Sequence, residues 1–145
     1  APHPKALPHA VGNSFAEMAL AHEDDFEVVI THPKGYELNP EKTKGATIEY
    51  DQKKAFEGAD FIYTKNWSSY KDYGKVVCKD ASWTISTDKM AVTDNAKFMH
   101  CLPVRRNVVV ADDVIDSENS IVIKQANNRT FSAQIVLKKI LEALK

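Results

Sequence analysis

The stretch Phe98-Met99-His100-Cys101-Leu102-Pro103-Val104-Arg105-Arg106-Asn107 runs from an apolar segment into a cysteine, a proline and two arginines. A buried strand ending this way delivers a thiol and paired cations to its carboxyl end, a setting suited to an anionic ligand. Cys101 could tune or attack a bound group there. A cysteine closing a buried strand is equally at home as a small core residue. His100 points to the opposite face of the strand and reads as a hydrogen-bonded core histidine. Arg105 and Arg106 are adjacent, so one of them is expected in a cleft; a solvated pair is the plainer alternative. Lys65, between Tyr63 and Trp67, is a further cation at the end of an apolar run, or an ordinary exposed strand-end lysine. Arg129 follows Asn128 just before the apolar final segment, where a helix-entry salt bridge would explain it as simply.

These residues need a scaffold. Short segments rich in β-branched and aromatic residues recur at Phe26–Thr31, Ala46–Tyr50, Phe61–Thr64, Phe98–Cys101 and Ser120–Ile123, and they predict buried parallel strands. Helices are expected between them. Ser14 to Asp24 opens on a Ser14-x-x-Glu17 capping box, Asp51 caps Gln52–Glu57 ahead of Gly58, and another helix covers part of Ser86–Asn95. Phe131 to Leu144 predicts a last helix with a wide apolar face and lysines toward its C-terminus. Alternating strands and helices imply an α/β fold, a mostly parallel sheet flanked by helices in a Rossmann-like three-layer arrangement. Ligands in such folds sit outside the carboxyl ends of the strands.

The opening segment Ala1-Pro2-His3-Pro4 leads into a helix with no strand before it. His3 is therefore expected to be a site residue whose supporting strand lies upstream, and the chain reads as a fragment. A coil entry to a small domain is the alternative.

With 145 residues the chain fits one domain. Nineteen Lys and Arg against twenty Asp and Glu are mixed along it, giving a formal charge of −1 and no basic block for a nucleic-acid backbone. Cys78 and Cys101 form no CxxC pair and the five histidines are scattered, so no structural zinc is expected. No apolar run approaches a membrane span. A cytoplasmic protein is expected.

The His-Cys-Leu-Pro sequence at 100–103, followed by Asn128-Arg129, resembles the aspartate/ornithine carbamoyltransferase family. The resemblance extends over the whole chain, through His3-Pro4, Asn13-Ser14, His32-Pro33-Lys34-Gly35-Tyr36 and Ala59-Asp60-Phe61-Ile62-Tyr63-Thr64-Lys65-Asn66-Trp67. It is most similar to the N-succinylornithine and N-acetylornithine branch. The resemblance implies that residues 1–145 are the amino-acid-binding (acylornithine) domain, and that a carbamoyl phosphate-binding domain is absent. The Ser-x-Arg-Thr phosphate cradle and the other groups of that domain are not found. It implies transfer of a carbamoyl group from carbamoyl phosphate to the side-chain amine of an Nα-acylated ornithine in arginine biosynthesis. A homotrimeric parent enzyme is implied too, and a chain inactive alone.

By the same resemblance, Arg129 reaches the carbamoyl oxygen, while the main-chain carbonyls of Cys101 and Leu102 hold the carbamoyl NH2 and orient the amine, with Leu102–Pro103 cis. Lys65 and Arg105 clamp the carboxylates of the acylated amino acid, and His3 makes a further contact. Enzymes acting on free ornithine carry an acidic residue at the position of Lys65, where it meets the α-ammonium. A lysine there favours an α-nitrogen whose charge acylation has removed. Acetylornithine-type relatives carry a lysine where this chain has Val109, which favours the succinyl substrate. The alternatives are a non-catalytic module that binds an acylated amino acid, and an ordinary ornithine carbamoyltransferase domain. A nucleotide-binding domain ranks below both, because no GxGxxG or GxxxxGK[ST] occurs.

Overall fold

The structure, a computed structural model, describes residue 5 and residues 7–144. Along the chain run α1 (Ala10–Leu20), β1 (Val29–Thr31), β2 (Thr47–Glu49), α2 (Gln52–Phe56), β3 (Phe61–Tyr63), a short 3-10 turn (Ala81–Trp83), α3 (Thr87–Met90), β4 (Lys97–Met99), α4 (Asp112–Ile115) and α5 (Val122–Ala143). β1 pairs parallel with β2, aligning Ile30 with Ile48, and β3 pairs parallel with β4, aligning Ile62 with Phe98. The expected α/β architecture of parallel strands flanked by helices is present.

Alternation along the strands sets the layers, because successive side chains leave on opposite faces. On one side Phe15 of α1 meets Tyr63, their ring centroids 4.1 Å apart. On the other, Ile62 and Phe98 join Phe56 of α2, Ile85, Val110 and Val114 in the main core. A smaller cluster of Ala16, Ile30 and Leu38 fastens α1 to β1. Phe98 is fully buried at the centre of the main core. Replacing it with alanine is expected to cost about 3–5 kcal/mol of folding free energy, measurable by denaturant titration; a loss below 1 kcal/mol would mean that the cavity collapses.

Several elements differ from the sequence expectation in length or type. The capping box is not formed: α1 begins four residues earlier, Ser14 lies inside it with its hydroxyl on the Val11 carbonyl, and His9 takes the N-cap place. His9 is held there by stacking on Tyr70, with ring centroids 3.7 Å apart, so a tertiary contact and not a local cap fixes the start. α1 also stops at Leu20 and gives way to turns. The predicted strand at Ser120–Ile123 is reduced to one bridge to Phe98, after which α5 starts at Val122, nine residues before its expected beginning. Strand β4 accepts the Ile121 N–H at the Phe98 carbonyl, and helical hydrogen bonding takes over from there. Asn128-Arg129 therefore lies inside α5 and not at its head.

Other expectations hold. Asp51 caps α2 by accepting from the N–H groups of Lys53 (2.9 Å) and Lys54 (3.1 Å), and Gly58 adopts φ +68° immediately beyond, where a side chain would be strained. The helix predicted within Ser86–Asn95 is α3. α5 is about 33 Å long at 1.5 Å per residue, and only its first turns touch the body. From Asn127 to Leu144 every residue is exposed, Phe131, Ile135, Leu137, Ile140 and Leu141 each by more than half.

Candidate active site

The carboxyl ends of β3 and β4 lie side by side. The ladder aligns Tyr63 with Met99, and the Thr64 N–H donates to the Met99 carbonyl at 3.0 Å. Lys65 leaves β3 two residues after Tyr63, and Cys101 leaves β4 two residues after Met99. Period-two alternation therefore carries the phenol, the ammonium and the thiol to adjoining strand ends. The Tyr63 hydroxyl faces Cys101 and also Gln125 on the first turn of α5. Burial, and next the neighbouring Cys101, push its pKa well above the ordinary phenol range. Gln125 stands one helical turn before Arg129, on the same side of α5. Arg129 itself is exposed.

The turn after β4 is pinned from below. Leu102 adopts φ +50° and its peptide bond to Pro103 is cis. The Leu102 N–H donates at 2.9 Å to Nδ1 of His100, whose side chain is buried. His100 is thus the core histidine that strand alternation predicted, and it satisfies an N–H that the turn would otherwise leave without a partner. Arg106 donates to both oxygens of Asp116, at 2.6 Å each, and to Asp112 at 2.8 Å. That network holds Arg106 on the outer side of the loop, while Arg105 has no side-chain partner among the described residues. Both arginines are exposed, and only Arg106 is tied to carboxylates among the described residues. Lys65 and Arg129 likewise have no ion pair among the described residues.

Lys65 also lines a cavity of about 110 Å³ between the ends of β1 and β3, together with Thr31, His32, Tyr36, Tyr63 and Trp67. Thr31 Oγ1 is buried there without a partner. Cys101, Leu102, Arg105 and Arg129 are not among the lining residues, so of the predicted groups that are described the cavity takes in Lys65 and not these four. Trp67 shapes the wall by donating its indole N–H to the Tyr36 carbonyl at 2.8 Å, and the Tyr36 hydroxyl accepts from the N–H groups of Val77 and Cys78. Tyr70 stacks on His9 and accepts from Asn13, which anchors the loop after β3. Trp67 and Tyr70 thus shape this loop. Val109 is buried, 2% exposed, and supplies no charge to the cleft. His3 lies outside the described residues.

Sequence reasoning missed Tyr63, Gln125 and the cavity tyrosine Tyr36. Tyr63 was available from its two-residue spacing to Lys65, and Gln125 from its four-residue spacing to Arg129 once α5 is known to start early. No group of three or more metal-ligating side chains occurs among the described residues, and no described helix is long and apolar enough to cross a membrane.

Parallel strands flanked by helices, with a thiol, a phenol and a lysine at the carboxyl ends of β3 and β4, define an α/β domain whose candidate ligand groups stand where such folds place them. Residues 9–140 match the Asp/Orn binding domain of aspartate/ornithine carbamoyltransferase, and the chain belongs to that family. It is 60% identical to an N-succinylornithine carbamoyltransferase of Bacteroides thetaiotaomicron over 99% of its length, and as similar to one from Bacteroides fragilis. An N-acetylornithine carbamoyltransferase of Xylella fastidiosa is 34% identical over 88% of the chain. Among solved structures, acetylornithine transcarbamylase complexed with acetylcitrulline superposes with a TM-score of 0.80 at 32% identity, covering 88% of this chain and 43% of that one. The chain spans 45% of the Bacteroides proteins and 43% of the Xylella protein.

Proposed function

We propose that residues 1–145 are the amino-acid-binding domain of a carbamoyltransferase that moves the carbamoyl group of carbamoyl phosphate to the side-chain amine of an Nα-acylated ornithine, N-succinylornithine ahead of N-acetylornithine. The reading is carried by Lys65, which leaves the end of β3 beside the Cys101–Leu102 turn and has no ion pair among the described residues. An amine attacking a carbamoyl carbon builds negative charge on the carbamoyl oxygen and on departing phosphate, so positioning and cations are the tools required. Arg129 stabilises the carbamoyl oxygen. The carbonyls of Cys101 and Leu102 accept from the carbamoyl NH2 and from the amine, and Lys65 and Arg105 hold the carboxylates of the acylated amino acid. His3 provides a further contact to the acyl or carboxylate group.

Carbamoyl phosphate is held by a second, N-terminal domain, and the exposed apolar face of α5 is the surface on which that domain packs. Burying such a face repays about 25 cal/mol per Å² of apolar area. The parent enzyme works as a homotrimer in the cytoplasm, in arginine biosynthesis, without metal or cofactor.

The test is a substrate comparison. With carbamoyl phosphate, the complete polypeptide carrying this chain is expected to favour N-succinylornithine over N-acetylornithine by about ten-fold or more in kcat/KM, worth about 1.4 kcal/mol, with free ornithine last. The isolated domain turns over none of them. Preference for free ornithine would remove the specificity reading, and absence of all three activities would leave a non-catalytic binding module.

A further inference from the structure

We propose that Tyr36 is a positioning residue for the amino-acid site, tying down both ends of the loop from Trp67 to Cys78 and so fixing a wall of the cavity that Lys65 lines before a substrate arrives. The role rests on the carbamoyltransferase reading and deepens it, since Tyr36 acts on the amine donor only through the loop it holds.

Tyr36 is itself firmly placed. It is 9% exposed, and its N–H donates to the Pro33 carbonyl at 3.2 Å, closing the turn that follows β1. Gly35 takes φ +87° in that turn, a conformation that residues with a side chain rarely adopt. From there Tyr36 reaches one loop twice. Its main-chain carbonyl accepts the indole N–H of Trp67 at 2.8 Å, and its hydroxyl oxygen accepts the N–H groups of Val77 at 3.1 Å and Cys78 at 2.8 Å. The backbone and the side chain of one residue thus pin opposite ends of the same loop.

The two ends are not equally secured. At the near end Ser68 donates from both its N–H and its hydroxyl to the Leu7 carbonyl, at 2.8 and 2.9 Å, and Trp67 packs on the cluster of Ala16, Ile30 and Leu38. At the far end Val76 to Lys79 lie in no helix or strand, and their main-chain N–H groups are bonded, among the described residues, only through the Tyr36 hydroxyl. Val77 is 50% exposed, so packing adds little there. Removing one oxygen atom therefore frees the far end and leaves the near end in place.

Lys65, Trp67 and Cys78 line the same cavity as Tyr36, so the freed end belongs to the site. A wall ordered in advance spares the ligand the entropy of ordering it, and a wall in place for only a fraction of the time weakens apparent binding by that fraction. Loss of the hydroxyl is thus felt in binding of the amine and not in the chemical step.

The experiment compares Tyr36→Phe with wild type in the complete enzyme, with N-succinylornithine as the amine. The ring and the Trp67 bond to the main chain are kept, and only the oxygen is lost. Hydrogen–deuterium exchange over residues 74–80 is expected to quicken about ten-fold, while exchange over residues 66–70 stays within about two-fold. KM for N-succinylornithine is expected to rise about five-fold or more, with kcat and KM for carbamoyl phosphate within about two-fold. A merely structural tyrosine would lower the melting temperature and the active fraction, hence the apparent kcat, without raising KM for one substrate. Val77→Pro deletes one donor from the exposed loop without touching the buried ring, and is expected to raise the same KM about two-fold; it carries the test if Tyr36→Phe fails to fold. Unchanged exchange over residues 74–80, or faster exchange with an unchanged KM for the amine, would overturn the proposal. A wild-type enzyme that fails to carbamoylate N-succinylornithine overturns the reading beneath it as well, and that result is recognised before any variant is made.

Discussion

In the complete enzyme, Arg129→Ala is expected to lower kcat by a factor on the order of 10²–10³, with little change in KM for the amine. The guanidinium is assigned to the carbamoyl oxygen, whose negative charge is largest at the transition state, so its loss should appear in the rate and not in binding. Its setting supports a large effect. Arg129 has no competing carboxylate among the described residues, unlike Arg106, which is held by Asp112 and Asp116. Arg129→Lys is expected to recover only part of the rate, because an ammonium cannot reproduce the planar fork of a guanidinium. Steady-state kinetics with both variants decide it. An alanine variant within a factor of three of wild type would place Arg129 outside the chemistry.

Lys65→Asp is expected to invert the charge preference of the amino-acid site. Two unit charges about 4 Å apart interact by about 4 kcal/mol at an effective dielectric constant near 20. Solvent at the partly exposed side chain reduces that, so a loss on the order of 10²-fold in kcat/KM for N-succinylornithine is the reasonable scale. The same change supplies a partner for the α-ammonium of free ornithine, and activity on free ornithine is expected to rise over the wild-type level. Lys65→Met separates the two effects, since it removes the attraction to a carboxylate without adding attraction to an ammonium. The informative quantity is the ratio of kcat/KM values for the two amines. An unaltered ratio in Lys65→Asp would mean that the acyl group is recognised elsewhere.

Much of this arrangement was legible in the residues. Runs such as Phe61-Ile62-Tyr63 and Phe98-Met99 could bury themselves only as strands between layers, and both became parallel β3 and β4. The Asp51 cap and the Gly58 stop are local devices, each requiring only its neighbours, and both stand where the sequence placed them. Adjacency led to the expectation that one of Arg105 and Arg106 enters a cleft. Both are exposed, and which of them is tied down depends on Asp112 and Asp116, on α4 and just beyond it, which hold Arg106.

The errors have a common physical origin. Ser14-x-x-Glu17 has the composition of a cap, yet the stacking of His9 on Tyr70, 61 residues away in sequence, starts the helix earlier. Ser120–Ile123 has strand-like residues, yet one bridge to β4 exhausts the pairing and α5 takes over at Val122. In both places a long-range contact outweighed a local preference.

By itself, then, the sequence determined the α/β class, the residues that end the strands, and the chemical types available to a ligand. Periodicity and side-chain chemistry are properties of neighbours along the chain. The tertiary structure decided that a cavity opens between β1 and β3 beside Lys65, that the Leu102 N–H is met by His100, and that Arg106 is held by Asp112 and Asp116. Those outcomes are set by hydrogen bonds and packing that no local pattern specifies.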